Sequence, residues 1–208
     1  TATRAYSGCT ANMTGSVAVT VNPLPTLYSV TGGGAYCSGG SGVAVGLSGS
    51  QSGATYQLRK DGVNTGSPVS GTGSAISFGN QTAGGIYTVV ATITSTSCSQ
   101  TMTGSVSVTV NPMPTLYTVT GGGGYCSGGS GSVVGLSSSE TGVNYQLQVN
   151  GSNTGSPVAG TGSAISFGNQ TAAETYTVIA TNATTSCSLS MSGSVSITIN
   201  PLPTLQIS

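Results

Sequence analysis

The chain has 208 residues, of which three are Lys or Arg, three are Asp or Glu and none is His, for a net charge of zero. Charged residues are 3% of the total, against roughly a quarter in ordinary soluble domains, so the clustered cations needed for nucleic acid or for an anionic membrane surface are missing. Gly reaches 34 residues, about double its usual ~7% share, yet Val, Ile, Thr and Tyr recur in alternating runs that disordered chains lack.

In chain order, that alternation predicts β-strands, and no stretch carries helical periodicity. Residues 1–25 are expected to be the closing strands of a module that begins upstream. No apolar run in these residues is long enough to span a bilayer. Strands are then predicted over 27–31, 43–48, 55–60, 75–79, 86–94 and 105–111, with a short one near 66–69. One face supplies Val45, Leu47, Tyr56, Leu58, Ile76, Phe78, Tyr87, Val89, Ala91, Val106, Val108 and Val110 as the expected core. The glycines at 32–34 and the stretch 38–42 predict a wide connection between the first two strands. Asp61-Gly62 predicts a tight hairpin, because both residue types tolerate positive φ.

After Asn111 the same text begins again. Cys37 recurs as Cys126 and Cys98 as Cys187, each 89 positions on, and Cys9 stands 89 before Cys98. Aligned without a gap, 26–114 and 115–203 share 62 identities in 89 positions. A fixed period of this length predicts a head-to-tail array of small modules. The expected boundaries are 1–25 (end of a preceding module), 26–114, 115–203, and 204–208 (start of a following one). Short strands with turns every 8–12 residues predict an all-β, immunoglobulin-like sandwich. Tyr87 and Tyr176 suit a tyrosine corner, and with no Trp in the chain Tyr56 or Tyr145 takes the space of a core Trp.

Tyr-Cys-Ser-Gly-Gly-Ser-Gly before the second strand, Gly-Thr-Gly-Ser-Ala-Ile-Ser-Phe-Gly-Asn-Gln-Thr, Tyr-Thr-Val and the closing Val-Thr-Val-Asn-Pro-Leu-Pro cover the chain as a set. Together they resemble the immunoglobulin-like and PKD-like repeats of very large Bacteroidetes surface proteins. The resemblance implies an extracellular or cell-surface protein exported by the type IX route, built of many modules and used in adhesion, gliding or fibre formation. It carries over stalk or fibre duty and no ligand residue.

Modules are expected to meet at Pro23-Leu24-Pro25, Pro112-Met113-Pro114 and Pro201-Leu202-Pro203. Two prolines in four residues favour an extended, stiff path, and the intervening Leu24, Met113 and Leu202 either pack into the seam or finish a strand. Ca²⁺ at these joints needs several carboxylates, which the chain lacks. The five cysteines predict disulfides in an oxidising compartment; none has the short spacing of a zinc ligand. Pairing within modules, Cys37–Cys98 and Cys126–Cys187, conflicts with the sandwich geometry. The loops that carry the two cysteines lie at opposite poles, about 26 Å apart across an eight-residue strand, while a cystine needs Cα atoms within roughly 7 Å. Pairing across the joint, Cys37–Cys187, is preferred, with the mates of Cys9 and Cys98 upstream and that of Cys126 downstream.

Catalysis lacks a base. Asp61 aligns with Asn150, Glu140 with Gln51 and Glu174 with Gly85, so no acid pair recurs. No cofactor is expected. A carbohydrate-binding array is the alternative to a spacer, with Tyr28, Tyr36, Tyr117 and Tyr125 either stacking on sugars or padding the joints. Expected partners are neighbouring modules of the same chain, other chains packed side by side into fibres, and glycans at the sequons of Asn12, Asn80, Asn150, Asn169 and Asn182.

Overall fold

A computed structural model describes residues 2–3, 6 and 9–204. Apart from Thr204, the strand expected over 204–208 lies outside the described residues. Among the described residues there is no helix, hence none long and apolar enough to cross a membrane. β1 (Ala2–Thr3) and β2 (Thr10–Ala11) form a short antiparallel pair. The first sequence copy follows with β3 (Val30–Gly32), β4 (Gly34–Cys37), β5 (Val43–Leu47), β6 (Ala54–Lys60), β7 (Val63–Asn64), β8 (Val69–Ser70), β9 (Ile76–Gln81), β10 (Gly85–Ile93), β11 (Ser99–Thr101) and β12 (Val106–Asn111). The second has β13 (Val119–Gly121), β14 (Gly123–Cys126), β15 (Ser132–Leu136), β16 (Val143–Val149), β17 (Ser152–Asn153), β18 (Val158–Ala159), β19 (Ile165–Gln170), β20 (Thr175–Asn182), β21 (Ser188–Ser190) and β22 (Val195–Asn200).

Two compact units result: Thr1–Gly32, Val45–Phe78 and Ile86–Val106 in one, and Gly33–Ala44, Gly79–Gly85 and Ser107–Ser208 in the other. In the first, β6 and β10 pair antiparallel from Ala54↔Ile93 to Lys60↔Tyr87, and β3 pairs with β5. The second holds a whole sandwich: β13-β15-β19 form one sheet and β14-β22-β20-β16-β17 the other, with β18 on β16 and β21 on β20. This distribution of strands between two sheets, antiparallel except for β14 on β22, is that of an immunoglobulin-like sandwich.

The alternation explains the packing. Val143, Tyr145 and Leu147 of β16 and Tyr176, Val178 and Ala180 of β20 point inward and are buried, meeting Val134 and Leu136 from the facing sheet. Tyr145 fills the space left by the absent Trp, and its hydroxyl accepts from the Glu140 N–H at 2.9 Å. The Tyr176 hydroxyl donates to the Ala172 carbonyl four residues upstream at 3.1 Å, the tyrosine-corner contact. Met191 and Val143, outside the expected core, are also buried.

Three expectations need correction. The last strand buries only its middle: Val195 is half-buried and Ile199 is 43% exposed, because β22 faces β20 only at Val195 and Ser196. Val110 is likewise 37% exposed. Residues 16–22 repeat the pattern of β12 but form no strand, and Val17, Val19 and Val21 are exposed; among the described residues no strand pairs with their backbone. Finally, the connection expected between the first two strands contains a strand of its own. The opening strand splits, its first part joining one sheet (β13 on β15) and its second the other (β14 parallel to β22).

Glycines make the switch. Gly121, Gly122 and Gly123 have φ of 92, 75 and 100°, values that side chains rarely adopt. A Cβ at Gly121 would also lie 2.0 Å from the Val133 carbonyl oxygen. Gly121→Ala is expected to lower stability by about 2 kcal/mol or more, whereas Gly128→Ala, at similar φ but in open space, costs about 1 kcal/mol. Equal shifts in the two urea midpoints would show that the sheet switch does not depend on close backbone approach.

Candidate functional site

The feature that sets this chain apart is a cystine between sequence copies. Cys37 and Cys187, 150 residues apart, are bonded with Cα atoms at 5.6 Å, and both belong to the second compact unit. Cys37 ends β4, opposite Asn111 of β12, where Ser38 N–H donates to the Asn111 carbonyl at 2.8 Å. It therefore sits on a strand and not in a loop, because the glycine switch carries β4 onto the other sheet. Cys187 closes a turn after β20 in which Ser186 takes φ of 59° and Asn182 N–H donates to the Cys187 carbonyl at 2.9 Å. The Asn182 side chain holds the turn by accepting from the Thr184 and Thr185 N–H groups. Cys187 is wholly buried.

Strand direction excludes closure within a copy. Cys126 lies at the C-terminal end of β22 beside Asn200, and Cys187 follows the C-terminal end of β20. β20 and β22 are antiparallel, so the two thiols stand at opposite ends of one sheet, about 20 Å apart. Neither Cys37–Cys98 nor Cys126–Cys187 is formed.

The remaining thiols repeat the two halves of this bond. Cys126 has the register of Cys37: Ser127 N–H donates to Asn200 O at 2.8 Å and Gly129 N–H to Cys126 O at 2.9 Å, as Gly40 N–H does to Cys37 O. Cys98 has the turn of Cys187: Ser97 takes φ of 57° and Ile93 N–H donates to the Cys98 carbonyl at 2.9 Å. Cys126 is exposed and Cys98 half-buried.

At the joints the burial falls on an unexpected residue. Pro25 and Pro114 are buried, Met113 is half-buried, and Leu24 and Leu202 remain 58% and 62% exposed. Pro23, Pro112, Pro201 and Pro203 are exposed. Sequence patterning left the larger apolar residue either to pack into the seam or to finish a strand, and gave no signal for the second proline. Tyr28, Tyr36, Tyr117 and Tyr125 are half-buried, and Tyr117 and Tyr125 pack on the second core. The Tyr36 and Tyr125 hydroxyls donate to the Thr82 and Thr171 carbonyls, so each of these two side chains braces its own sandwich.

The acids have structural partners. Glu140 Oε2 accepts from the Thr115 N–H at 3.0 Å, and Gln51 Oε1 accepts from the Thr26 N–H at 2.9 Å, so amide and carboxylate serve one purpose. Asp61 Oδ1 accepts from the Ile86 N–H, which with Lys60 at 2.8 Å holds its pKa below the usual carboxylate value. Glu174 Oε2 accepts from Asn150 Nδ2 at 2.7 Å. Among the described residues, no three His, Cys, Asp or Glu side chains gather where a cation would need them.

Two measurements follow from this geometry. Cys187→Ser should lower resistance to urea by about 2–5 kcal/mol under non-reducing conditions, because the closed loop is long; a variant as stable as its parent would deny the tie any structural weight. Burial pushes the Tyr145 and Tyr176 phenols above their ordinary value of 10.0, for Tyr145 against the opposing hydrogen bond from the Glu140 N–H. A raised native pKa means stability is full below about pH 10 and lost as pH climbs through the native value. Tyrosinate absorbance at about pH 10–11 should therefore be lower in the folded chain than in urea, and identical curves would contradict the burial.

No protein-family model matches the chain, and no curated protein matches it. Among solved structures, murine CEACAM1b is similar at 13% identity over 80% of this chain and 96% of that one, with a TM-score of 0.41. The fibronectin(III)-like modules of Clostridium thermocellum CbhA reach 12% identity over 88% and 100%, with a TM-score of 0.42. At likenesses this low, strand order and register define the fold, and they make the chain all-β and immunoglobulin-like.

Proposed function

We propose that the chain is a stretch of a secreted, non-catalytic array of immunoglobulin-like modules serving as a rigid spacer or filament in a cell-surface adhesin or extracellular fibre. Its modules are 26–114 and 115–203, with parts of neighbours at 1–25 and 204–208. The observation that carries this proposal is the Cys37–Cys187 bond, which ties residues of consecutive sequence copies. Cys98 and Cys126 have the conformations of the two bonded residues, which suits the same link to an upstream and a downstream copy. Cys9, at the position of Cys98 one period earlier, suits the upstream series.

The joints and the surface support the same duty. Each joint is short and holds two prolines, which favours stiffness over a flexible tether. A cystine across every joint would restrict bending further and resists the glutathione pool outside cells. A surface of Ser and Thr with zero net charge removes the repulsion that keeps chains apart, so side-by-side packing into fibres is part of the proposal. The resemblance to Bacteroidetes surface repeats supports display outside the cell and export by the type IX route. The absence of His and the structural engagement of Asp61, Glu140 and Glu174 support a role without catalysis.

The test is oxidation of the purified chain with glutathione disulfide. Two thiols give up two protons and two electrons, one S–S bond forms, and the oxidant leaves as two glutathiones. If the halves are complementary, peptide mapping should show Cys126 of one chain joined to Cys98 of another, and electron microscopy should show extended rods. Indiscriminate pairing that includes Cys126 with Cys126, or compact aggregates, would overturn the proposal.

A further inference from the structure

The outward face of the second copy holds a groove with an unusual lining. In β16 the buried Tyr145 and Leu147 alternate with Asn144, Gln146 and Gln148, which point away from the core. These three, with Asn153 and with Ile179 and Thr181 of β20, line an open groove of about 450 Å³. No ionisable side chain lines it.

Two of its amides are fixed in advance. Gln146 Nε2 donates to the Leu147 carbonyl at 2.9 Å and to the Thr154 carbonyl at 2.7 Å. Gln148 Nε2 donates to Asn153 Oδ1 at 3.0 Å. Each of these bonds consumes one end of an amide and leaves the other. Gln146 and Gln148 keep their Oε1 atoms as acceptors, and Asn153 keeps its NH₂ as donor. Asn144, exposed beside them, offers both, and the Thr181 hydroxyl does the same. Ile179 adds an aliphatic floor between the polar groups.

Polar groups already held in place lose little freedom on binding, which is where affinity for a polar ligand is usually lost. An anion or cation would find no opposite charge here, and an apolar ligand would strand the amides without partners. A sugar hydroxyl both donates and accepts, and a pyranose face of C–H groups suits a floor such as Ile179. We propose that this groove binds a neutral oligosaccharide. The inference goes beyond the spacer role and depends only on the second copy. In the first copy Thr55 stands for Asn144 and Arg59 for Gln148, and the Arg59 Nε is buried without a partner, so that face differs in charge and in available acceptors.

The first copy also supplies the test. The double variant Asn144→Thr with Gln148→Arg gives the second groove residues that the same strand already carries in the first copy. The intact, oxidised chain and this variant would be titrated with cello-, malto-, manno- and laminari-hexaose, with hexagalacturonate as the charged comparison, following side-chain amide resonances. At least one neutral hexaose should bind the parent at one site per chain and shift the Gln146 and Gln148 amides. The variant, with an unchanged backbone spectrum, should bind it about 10-fold or more weakly. Failure of all four neutral sugars, stronger binding of hexagalacturonate to the parent, or undiminished binding by the variant would each overturn the inference. Two sites per chain would also overturn it, pointing to features shared by both copies. None of these outcomes bears on the cystine or on the spacer role.

Discussion

Antiparallel pairing of the last two long strands is the constraint on which the rest depends. β20 and β22 run in opposite directions, so residues that follow their C-terminal ends are separated by the length of the sheet. One cysteine is placed after the first of these strands and another beside the end of the second. Folding then keeps the two thiols of a copy apart, however reactive they are. A sandwich of this kind cannot satisfy its own sulfur chemistry and must look outside itself. The glycines that move the opening strand from one sheet to the other are the second half of the device, because they seat Cys37 in a ladder with Asn111. A cysteine on a paired strand is aimed by the backbone, which a loop would not achieve.

In the interior of the second copy, Ser139 and the Tyr145 and Tyr176 hydroxyls each have a backbone partner. Ser139, 1% exposed, donates to the Ser163 carbonyl at 2.6 Å and accepts from the Thr161 N–H at 2.9 Å. Tyr145 brings its ring into the core while its oxygen meets a loop N–H. These contacts hold the loop between the second and third long strands against the sheet and cost little, since each buried polar atom exchanges water for protein. Stability in this chain thus comes from apolar burial and neutral hydrogen bonds, with ion pairs confined to one exposed hairpin at Lys60 and Asp61 among the described residues.

Much of this was legible in the sequence, and the exceptions have physical reasons. Alternation located β6, β10, β16 and β20, because each buries one face fully and leaves the other mostly half-buried. The period, with the pole-to-pole geometry, identified Cys37 and Cys187. Gly123–Cys126 escaped notice because a short edge strand, with one neighbour and two glycines, carries no alternation. Met191 escaped because it follows β21 outside any alternating run, and only packing against the sandwich buries it. The pinning of Gln146 depends on carbonyls eight and nine residues away across a hairpin, which no local pattern encodes.

The interchange of Gln51 and Glu140 carries a wider implication. Both hand a single oxygen to one backbone N–H, at 2.9 Å and 3.0 Å, and the fold is indifferent to whether that oxygen bears a formal charge. A protein whose few acids are replaceable by amides at such positions has almost nothing that responds to salinity or to mild acid. A module built this way would keep its shape in fresh water, brine or a souring medium alike, with sulfur redox state left as the main chemical variable to which its integrity answers.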